Sequence, residues 1–155
     1  MAENRIEINP YENIEVFFKQ DALLVTLGKD GKPNVMTLAW KTIGELWHYP
    51  TIIVAVSPSR YSFKLLTEGV REFTLNIPSD KIRHAMDIAG SYSGRNTDKF
   101  KQANLEKIPG KKVKVPTIKD CLLSYECKII HETDSGNNAP HHLFVGEIVA
   151  AYASK

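Results

Sequence analysis

The chain has 155 residues, 43% of them hydrophobic and 25% charged, and its formal net charge is only +2. This composition is typical of one globular domain, residues 1–155, rather than of a disordered chain. No clustered basic surplus is evident, which argues against nucleic acid as a partner. Neither a membrane-length apolar run nor an apolar N-terminal signal is present, so we expect a cytoplasmic protein with no membrane partner.

Hydrophobic periodicity and turn residues predict at least six strands and few helices. In chain order they are a helix in residues 11–20, a hairpin in 22–40, a strand at 51–56, a helix in 57–69, a strand at 72–77, a helix in 79–90, a helical turn in 98–103, and long strands at 121–132 and 142–153. Residues 45–50 read as a short connection, and 133–140 as a hairpin loop. This order predicts a mainly β fold, a β-barrel with peripheral helices.

Serine and glycine mark the expected helix ends. Ser59 or Ser62 is expected to cap the helix in 57–69, and Gly69 to end it. Ser79 is expected to begin the helix in 79–90, and Gly90 to end it. A dinucleotide-binding Rossmann site is not expected, because strands do not alternate with helices and no G-x-G-x-x-G is present.

Two serine- and arginine-containing stretches predict a phosphate site. Hydroxyl and backbone N–H donors beside a cation suit a phosphate, and glycine lets the backbone approach it closely. The residues concerned are Ser59, Arg60 and Ser62 in the first stretch, and Ser93, Gly94, Arg95 and Lys99 in the second. The alternative is that both stretches are polar turns with solvated cations and serine caps.

The strand that ends at Trp40 is a candidate border for a flat aromatic ligand. Its side chains alternate, with Asn34 and Trp40 on one face and Thr37 on the other. Backbone groups near its end are suited to bind ring heteroatoms. The alternative for this strand is ordinary core packing beside a sheet edge.

Histidine and cysteine residues do not predict a metal or thiol site. His131, His141 and His142 flank one hairpin loop, so two of them could approach each other. Zinc requires three or four ligands, and no third is evident. Cys121 and Cys127 share one predicted strand without C-x-x-C spacing, which favours packing over redox chemistry.

Taken together, these stretches resemble the flavin reductase-like, FMN-binding split-barrel family, and within it the flavoredoxin-like branch. The resemblance runs from about Leu24 to Val149. Its most specific part is "GSYSGRNTDKF", which is similar to the family's S-G-R-x-x-D-K-F loop. The other parts are "GKPNVMTLAW", "PTIIVAVSPSRYSFKLL", "EFTLNIPS" and "HHLFVGEIV".

The resemblance implies an FMN-binding oxidoreductase that forms a homodimer with the flavin near the subunit interface. It implies phosphate and ribityl contacts from Ser59, Arg60, Ser62, Ser93, Gly94, Arg95 and Lys99. It implies a ring border formed by Asn34, Thr37, Leu38, Ala39 and Trp40. His141 matches a recurring family histidine and is a candidate catalytic residue that would contact nicotinamide or flavin.

The implied reaction moves hydride or electrons between NAD(P)H and flavin or a downstream acceptor. Two alternatives remain open. One is an electron-transfer flavoprotein that holds FMN tightly and is reduced by a redox partner protein. The other is a β-barrel module that binds a different ligand or nucleic acid, which would require exposed aromatic residues interleaved with basic ones.

Overall fold

The structure is a computed structural model, and it describes residues 4–136 and 140–155. The expected loop at 133–140 therefore lies partly outside the described residues. The strands are β1 (Arg5–Glu7), β2 (Ala22–Leu27), β3 (Pro33–Leu38), β4 (Lys41–Leu46), β5 (Tyr49–Val56), β6 (Glu72–Pro78), β7 (Lys107–Ile108), β8 (Thr117–Ile118), β9 (Cys121–Asp134) and β10 (His142–Ser154). The helices are α1 (Ile14–Phe17), α2 (Tyr61–Glu68), α3 (Ala85–Ser91) and α4 (Lys99–Gln102), with a 3₁₀ turn at Asp80–Ile82.

One antiparallel sheet carries the fold. Its strand order is β3-β2-β6-β9-β10-β5-β4, and β1 adds to β10 beyond this path. The strands β9 and β10 pair along most of their length, with register shifts between Val145 and Gly146 and between Ile148 and Ala150. Such irregularities bend a strand pair, so the long hairpin belongs to both halves of a curled, barrel-like sheet. The β7–β8 pair forms a separate ribbon.

Strand alternation divides the buried side chains into two clusters. Leu24 and Met36 belong to the larger one, inside the curl, together with Phe73 and Tyr125. The side chains that alternate with these along β2 and β3, such as Val25, lie on the other face of the sheet. They pack against α3, α4 and the segment that follows α4. The period of two therefore places one apolar face inside the barrel and the other beneath the helices.

Asn76 holds a polar network inside this sheet. Its Nδ2 donates to the carbonyl oxygen of Leu23 at 3.2 Å and to Thr74 Oγ1 at 3.1 Å. Its Oδ1 accepts from the Ile118 backbone N–H at 3.2 Å and from Ser124 Oγ at 2.8 Å. The buried amide thereby joins β2, β6, β8 and β9 with all its hydrogen-bonding capacity used.

Several sequence predictions are confirmed and others are wrong. The hairpin at 22–40, the strand at 72–77 and the helical turn at 98–103 are present. Residues 41–44 were assigned no element and 45–50 were expected to be a short connection, whereas β4 occupies Lys41–Leu46 and β5 begins at Tyr49. The single helix expected in 79–90 is instead a 3₁₀ turn followed by α3.

The predicted serine cap of α2 is wrong, because Arg60 is its N-cap. Ser79 is the N-cap of the 3₁₀ turn, as predicted for the start of this element, although its side chain makes no capping hydrogen bond. The end of α2 at Gly69 is confirmed, while α3 continues through Gly90 to Ser91. In the part of the chain that the structure describes, no helix is long and apolar enough to cross a membrane.

Candidate functional site

The two predicted phosphate stretches meet in one cavity of about 240 Å³. The start of α2 provides one wall, and the end of α3 with the loop to α4 provides the opposite wall. Its lining residues are Asn34, Ser59, Arg60, Tyr61, Ser62, Gly90, Ser91, Tyr92, Ser93, Gly94, Arg95 and Lys99. All seven phosphate-site residues chosen from sequence are among them.

Asn34 ties the cavity wall to the sheet. It is buried on β3, and its Nδ2 donates to Ser62 Oγ at 3.0 Å. Ser62 therefore serves a partner 28 residues earlier in the chain instead of capping α2. The sequence prediction placed Asn34 at the ring border, and in the structure it lines the cavity between the two serine- and arginine-containing stretches.

Gly94 makes the cavity possible by its lack of a side chain. A Cβ built on it would lie 2.1 Å from Asn34 Oδ1 and 2.7 Å from Tyr61 Cδ2. Neither distance is compatible with van der Waals contact, and Asn34 is held in place by Ser62. Glycine here lets the loop backbone lie directly against the cavity wall.

Three cations line the cavity: Arg60, Arg95 and Lys99. The guanidinium of Arg95 lies 5.3 Å from the centre of the Tyr61 ring, and its Nη1 donates to the Ser59 carbonyl at 3.5 Å. No Asp or Glu is among the described residues that line the cavity. Its charge is therefore suited to a dianion.

Lys99 is unusual because its side chain is only 3% exposed. Its Nζ donates to the Ala89 carbonyl at 2.8 Å, near the end of α3. Burial, and secondarily the charge of Arg60, lower the pKa of Lys99 to about 8. A bound anion would relieve both effects, because it supplies the opposite charge that Lys99 lacks.

The other proposed ring residues follow Asn34 along β3 and beyond its end, and they do not line the cavity. The Thr37 hydroxyl donates to the Met86 carbonyl, and Thr37 packs against Gly90. Leu38 is buried in the core, so only its backbone is available to a ligand. Ala39 and Trp40 are exposed beyond the end of β3, with the Trp40 side chain 64% exposed.

The histidines lie apart from this cavity. His141 is half-buried, and its backbone carbonyl accepts hydrogen bonds from Ser135. The His142 ring lies 2.9 Å from Glu132 Oε1 and 3.2 Å from Asp134 Oδ1, through its two different nitrogens. His131 packs edge-on against Trp47. Within residues 4–136 and 140–155, no group of three potential ligands could hold a metal ion.

Sequence reasoning missed four lining residues: Tyr61, Gly90, Ser91 and Tyr92. Tyr61 directly follows Arg60, and the other three immediately precede Ser93. The available signal was that each lies beside or near a residue already chosen for the phosphate site. A larger cavity, of about 560 Å³, lies elsewhere, beside β1, β7 and the end of β10, and contains none of the predicted site residues.

A barrel-like antiparallel sheet with a basic, carboxylate-free cavity between two loops is suited to a phosphorylated ligand. Comparison with known proteins identifies the family. The family model described as "Flavin reductase like domain" matches residues 17–155. The chain therefore belongs to the flavin reductase-like family, as the sequence resemblance indicates.

Individual relatives agree with this assignment. An uncharacterized protein of Archaeoglobus fulgidus is 35% identical over 137 residues, covering 88% of this chain and 73% of that protein. Flavoredoxin of Desulfovibrio vulgaris (Miyazaki F) superposes with a TM-score of 0.76 at 32% identity, covering 87% of this chain and 69% of that one. An FMN-binding domain of a flavin reductase-like enzyme from Shewanella baltica superposes with a TM-score of 0.81. At 19% identity, and with 99% and 79% of the two chains covered, that match shows the fold, which is the FMN-binding split barrel.

Proposed function

We propose that this chain is an FMN-binding oxidoreductase that transfers hydride or electrons between NAD(P)H and flavin or a downstream acceptor. The observation that carries the proposal is the cavity in which Arg60, Arg95 and Lys99 converge without a carboxylate. Family membership and the FMN-binding descriptions of similar structures support FMN as the cofactor.

The donor set fits the FMN phosphate. Arg95 offers planar paired donors, Lys99 offers a buried ammonium group, and Ser59 and Ser93 offer hydroxyl groups. Gly94 keeps the wall free of a Cβ that would occupy this space. The dianionic phosphate would supply the charge that this cavity lacks. The phosphate contacts are therefore assigned to Ser59, Arg60, Ser62, Ser93, Gly94, Arg95 and Lys99.

The ring is assigned to the segment that leaves the cavity along β3. Thr37 and the backbone of Leu38 come first, and exposed Ala39 and Trp40 follow. When bound, the flavin supplies the hydride and electron chemistry, while the protein positions it. Backbone N–H groups near Leu38 to Trp40 would donate to the ring and favour its anionic reduced form.

The exposure of Trp40 supports a homodimer, in which a second copy would cover a ring border that one chain leaves open. Light scattering at micromolar concentration should give about twice the 17.4 kDa chain mass. A monomer that holds FMN normally would contradict this. His141 remains a proposed catalytic residue, and His141→Ala should lower the rate of flavin reduction while leaving FMN affinity unchanged.

Two measurements test the function. The absorption spectrum of the purified protein should show the bands of oxidised flavin, and a colourless protein that does not take up FMN would contradict the proposal. In an anaerobic cuvette, NADH or NADPH should bleach these bands, and air should restore them.

An electron-transfer flavoprotein is the second candidate. It is favoured by the 32% identity to a flavoredoxin. In the same anaerobic experiment, the bound flavin of such a protein would be reduced by a chemical reductant but not by NADH or NADPH.

A further inference from the structure

The low net charge of the chain conceals an uneven distribution. Residues 99–119, here called the lysine segment, contain seven lysines and one acidic residue, Glu106. The rest of the chain has 13 basic and 17 acidic residues, so it is net negative. The expectation that the sequence lacks a basic cluster is therefore wrong for this segment.

The backbone of the lysine segment is fixed to the sheet by two carboxylates. Glu126 is fully buried on β9, and its Oε1 accepts the backbone N–H of Lys112 at 2.7 Å. Its Oε2 accepts that of Lys111 at 3.0 Å. Glu72 Oε1 on β6 accepts the backbone N–H of Lys114 at 2.8 Å. These bonds hold a non-repetitive stretch in one conformation.

The fixed backbone directs its side chains alternately inward and outward. Val113 and Val115 are buried in the cluster beneath the helices, whereas Lys112 and Lys114 are exposed. The valines anchor the segment by apolar burial. The lysines on either side of Val113 are consequently presented to solvent from a rigid support.

Few of the exposed lysine side chains in this segment form an ion pair. Within the described residues, Lys101, Lys112 and Lys114 form no ion pair, and Lys107 lies over the Phe100 ring at 5.3 Å. Lys119 is paired with Glu106, at 3.7 Å. The six lysines of the segment outside the cavity stand against three carboxylates, Glu72, Glu106 and Glu126, which leaves a net charge of +3.

We propose that the lysine segment is the docking surface for a partner protein that presents a compact acidic patch. A rigid array of exposed lysines suits such a partner, because complementary charge steers its approach and fixes its orientation. The inference does not depend on the proposed flavin chemistry, since the exposed lysines lie outside the phosphate cavity.

A protein partner is favoured over a nucleic acid for two reasons. Nucleic-acid surfaces interleave exposed aromatic side chains with basic ones, but the described exposed aromatics, such as Trp40, Trp47 and Tyr49, lie outside the segment. A long polyanion would also extend onto the net-negative remainder of the molecule. A compact acidic patch meets only the lysines.

The test uses full-length protein with FMN present, at low salt, and a fluorescent glutamate peptide of about six residues as the probe, which spans roughly 20 Å when extended and so imitates a compact acidic patch. The double variant Lys112→Gln/Lys114→Gln should weaken peptide binding about fivefold, the effect of losing two surface ion pairs. The matched control is Lys29→Gln/Lys32→Gln, which removes the same charge from the exposed β2–β3 turn and should have little effect. Added salt should weaken binding by the native protein.

Three outcomes would overturn the inference. The first is no peptide binding at low salt. The second is an equal loss in both double variants, which would indicate a response to net charge alone. The third is tighter binding of a single-stranded oligonucleotide of equal charge that is also lost in Lys112→Gln/Lys114→Gln. Circular dichroism and FMN titration should be unchanged in both variants, which separates docking from folding and from the flavin site.

Discussion

Gly94 and Asn34 approach each other so closely that a Cβ on Gly94 would lie 2.1 Å from Asn34 Oδ1. Asn34 cannot easily withdraw, because its Nδ2 is bonded to the hydroxyl of Ser62 at 3.0 Å. The contact joins the loop before α4 to the strand β3 and to the helix α2. The absence of a Cβ at Gly94 thus determines how closely the two serine- and arginine-containing stretches approach each other.

Gly94→Ala should therefore weaken FMN binding by about tenfold or more, because the added methyl group displaces the loop or Asn34. An FMN titration measures the loss. The matched control is Gly44→Ala on β4, where a Cβ would meet nothing within 4 Å. Equal FMN affinity in the native protein and Gly94→Ala would show that the close approach does not shape the flavin site.

Arg95→Ala should weaken FMN binding about 10- to 150-fold and leave riboflavin binding nearly unchanged. A charge-assisted hydrogen bond contributes roughly 1.5–3 kcal/mol, and riboflavin lacks the phosphate that would receive it. Arg83→Ala is the control, because Arg83 is an exposed arginine paired with Asp80 at 2.7 Å. Similar losses for both flavins would mean that Arg95 supports the fold or the ring.

FMN affinity should fall as the pH rises above about 8. Burial and the charge of Arg60 lower the pKa of Lys99 to about 8, and a bound dianion would raise it again. The complex then retains a proton that the free protein loses, so affinity declines by up to about tenfold per pH unit in this window. Titrations at pH values from about 7 to 9 measure the slope.

Lys99→Met should bind FMN more weakly and remove most of this slope. Riboflavin provides the internal control, because its binding should not follow the protonation of Lys99. A pH slope that is the same for both flavins, or that survives in Lys99→Met, would assign it to another group.

The sequence predicted which residues line the cavity better than it predicted their hydrogen-bonding partners. Ser59, Arg60, Ser93 and Arg95 could be chosen because phosphate sites use few residue types in short, recognisable loops. The partner of Ser62 could not, since Asn34 reaches it through tertiary packing. The burial of Lys99 was equally hidden, because lysines in polar loops are normally solvated.

The missed strand β4 has a local physical explanation. It contains Gly44 and two charged residues, Lys41 and Glu45, so it shows no strand-like hydrophobic run. Its turn uses Trp47 and His48 in left-handed backbone conformations, with φ of 53° and 67°. Hairpin turns of this kind are normally recognised by Asn or Gly, and neither residue is present.

Asn76→Leu should destabilise the protein without changing flavin affinity. The substitution removes four hydrogen bonds and leaves buried groups of Ile118 and Leu23 unsatisfied, at a cost of about 3 kcal/mol. For a chain of this size, Tm should fall by roughly 6–12 °C. Gln102→Leu, an exposed amide on α4, is the control. A Tm loss no larger than that of Gln102→Leu would show that the network contributes little.

The central position of β10 has a consequence for folding kinetics. β10 pairs with β5, some ninety residues earlier, as well as with its neighbour β9. The β9–β10 hairpin can form through a short loop, whereas the β5–β10 pairing must close a very long one, so we expect folding on the millisecond-to-second scale. Until β10 has been synthesised and docked, β5 and β9 each present an unpaired edge. A nascent chain is therefore most prone to pair with another molecule just before β10 is made.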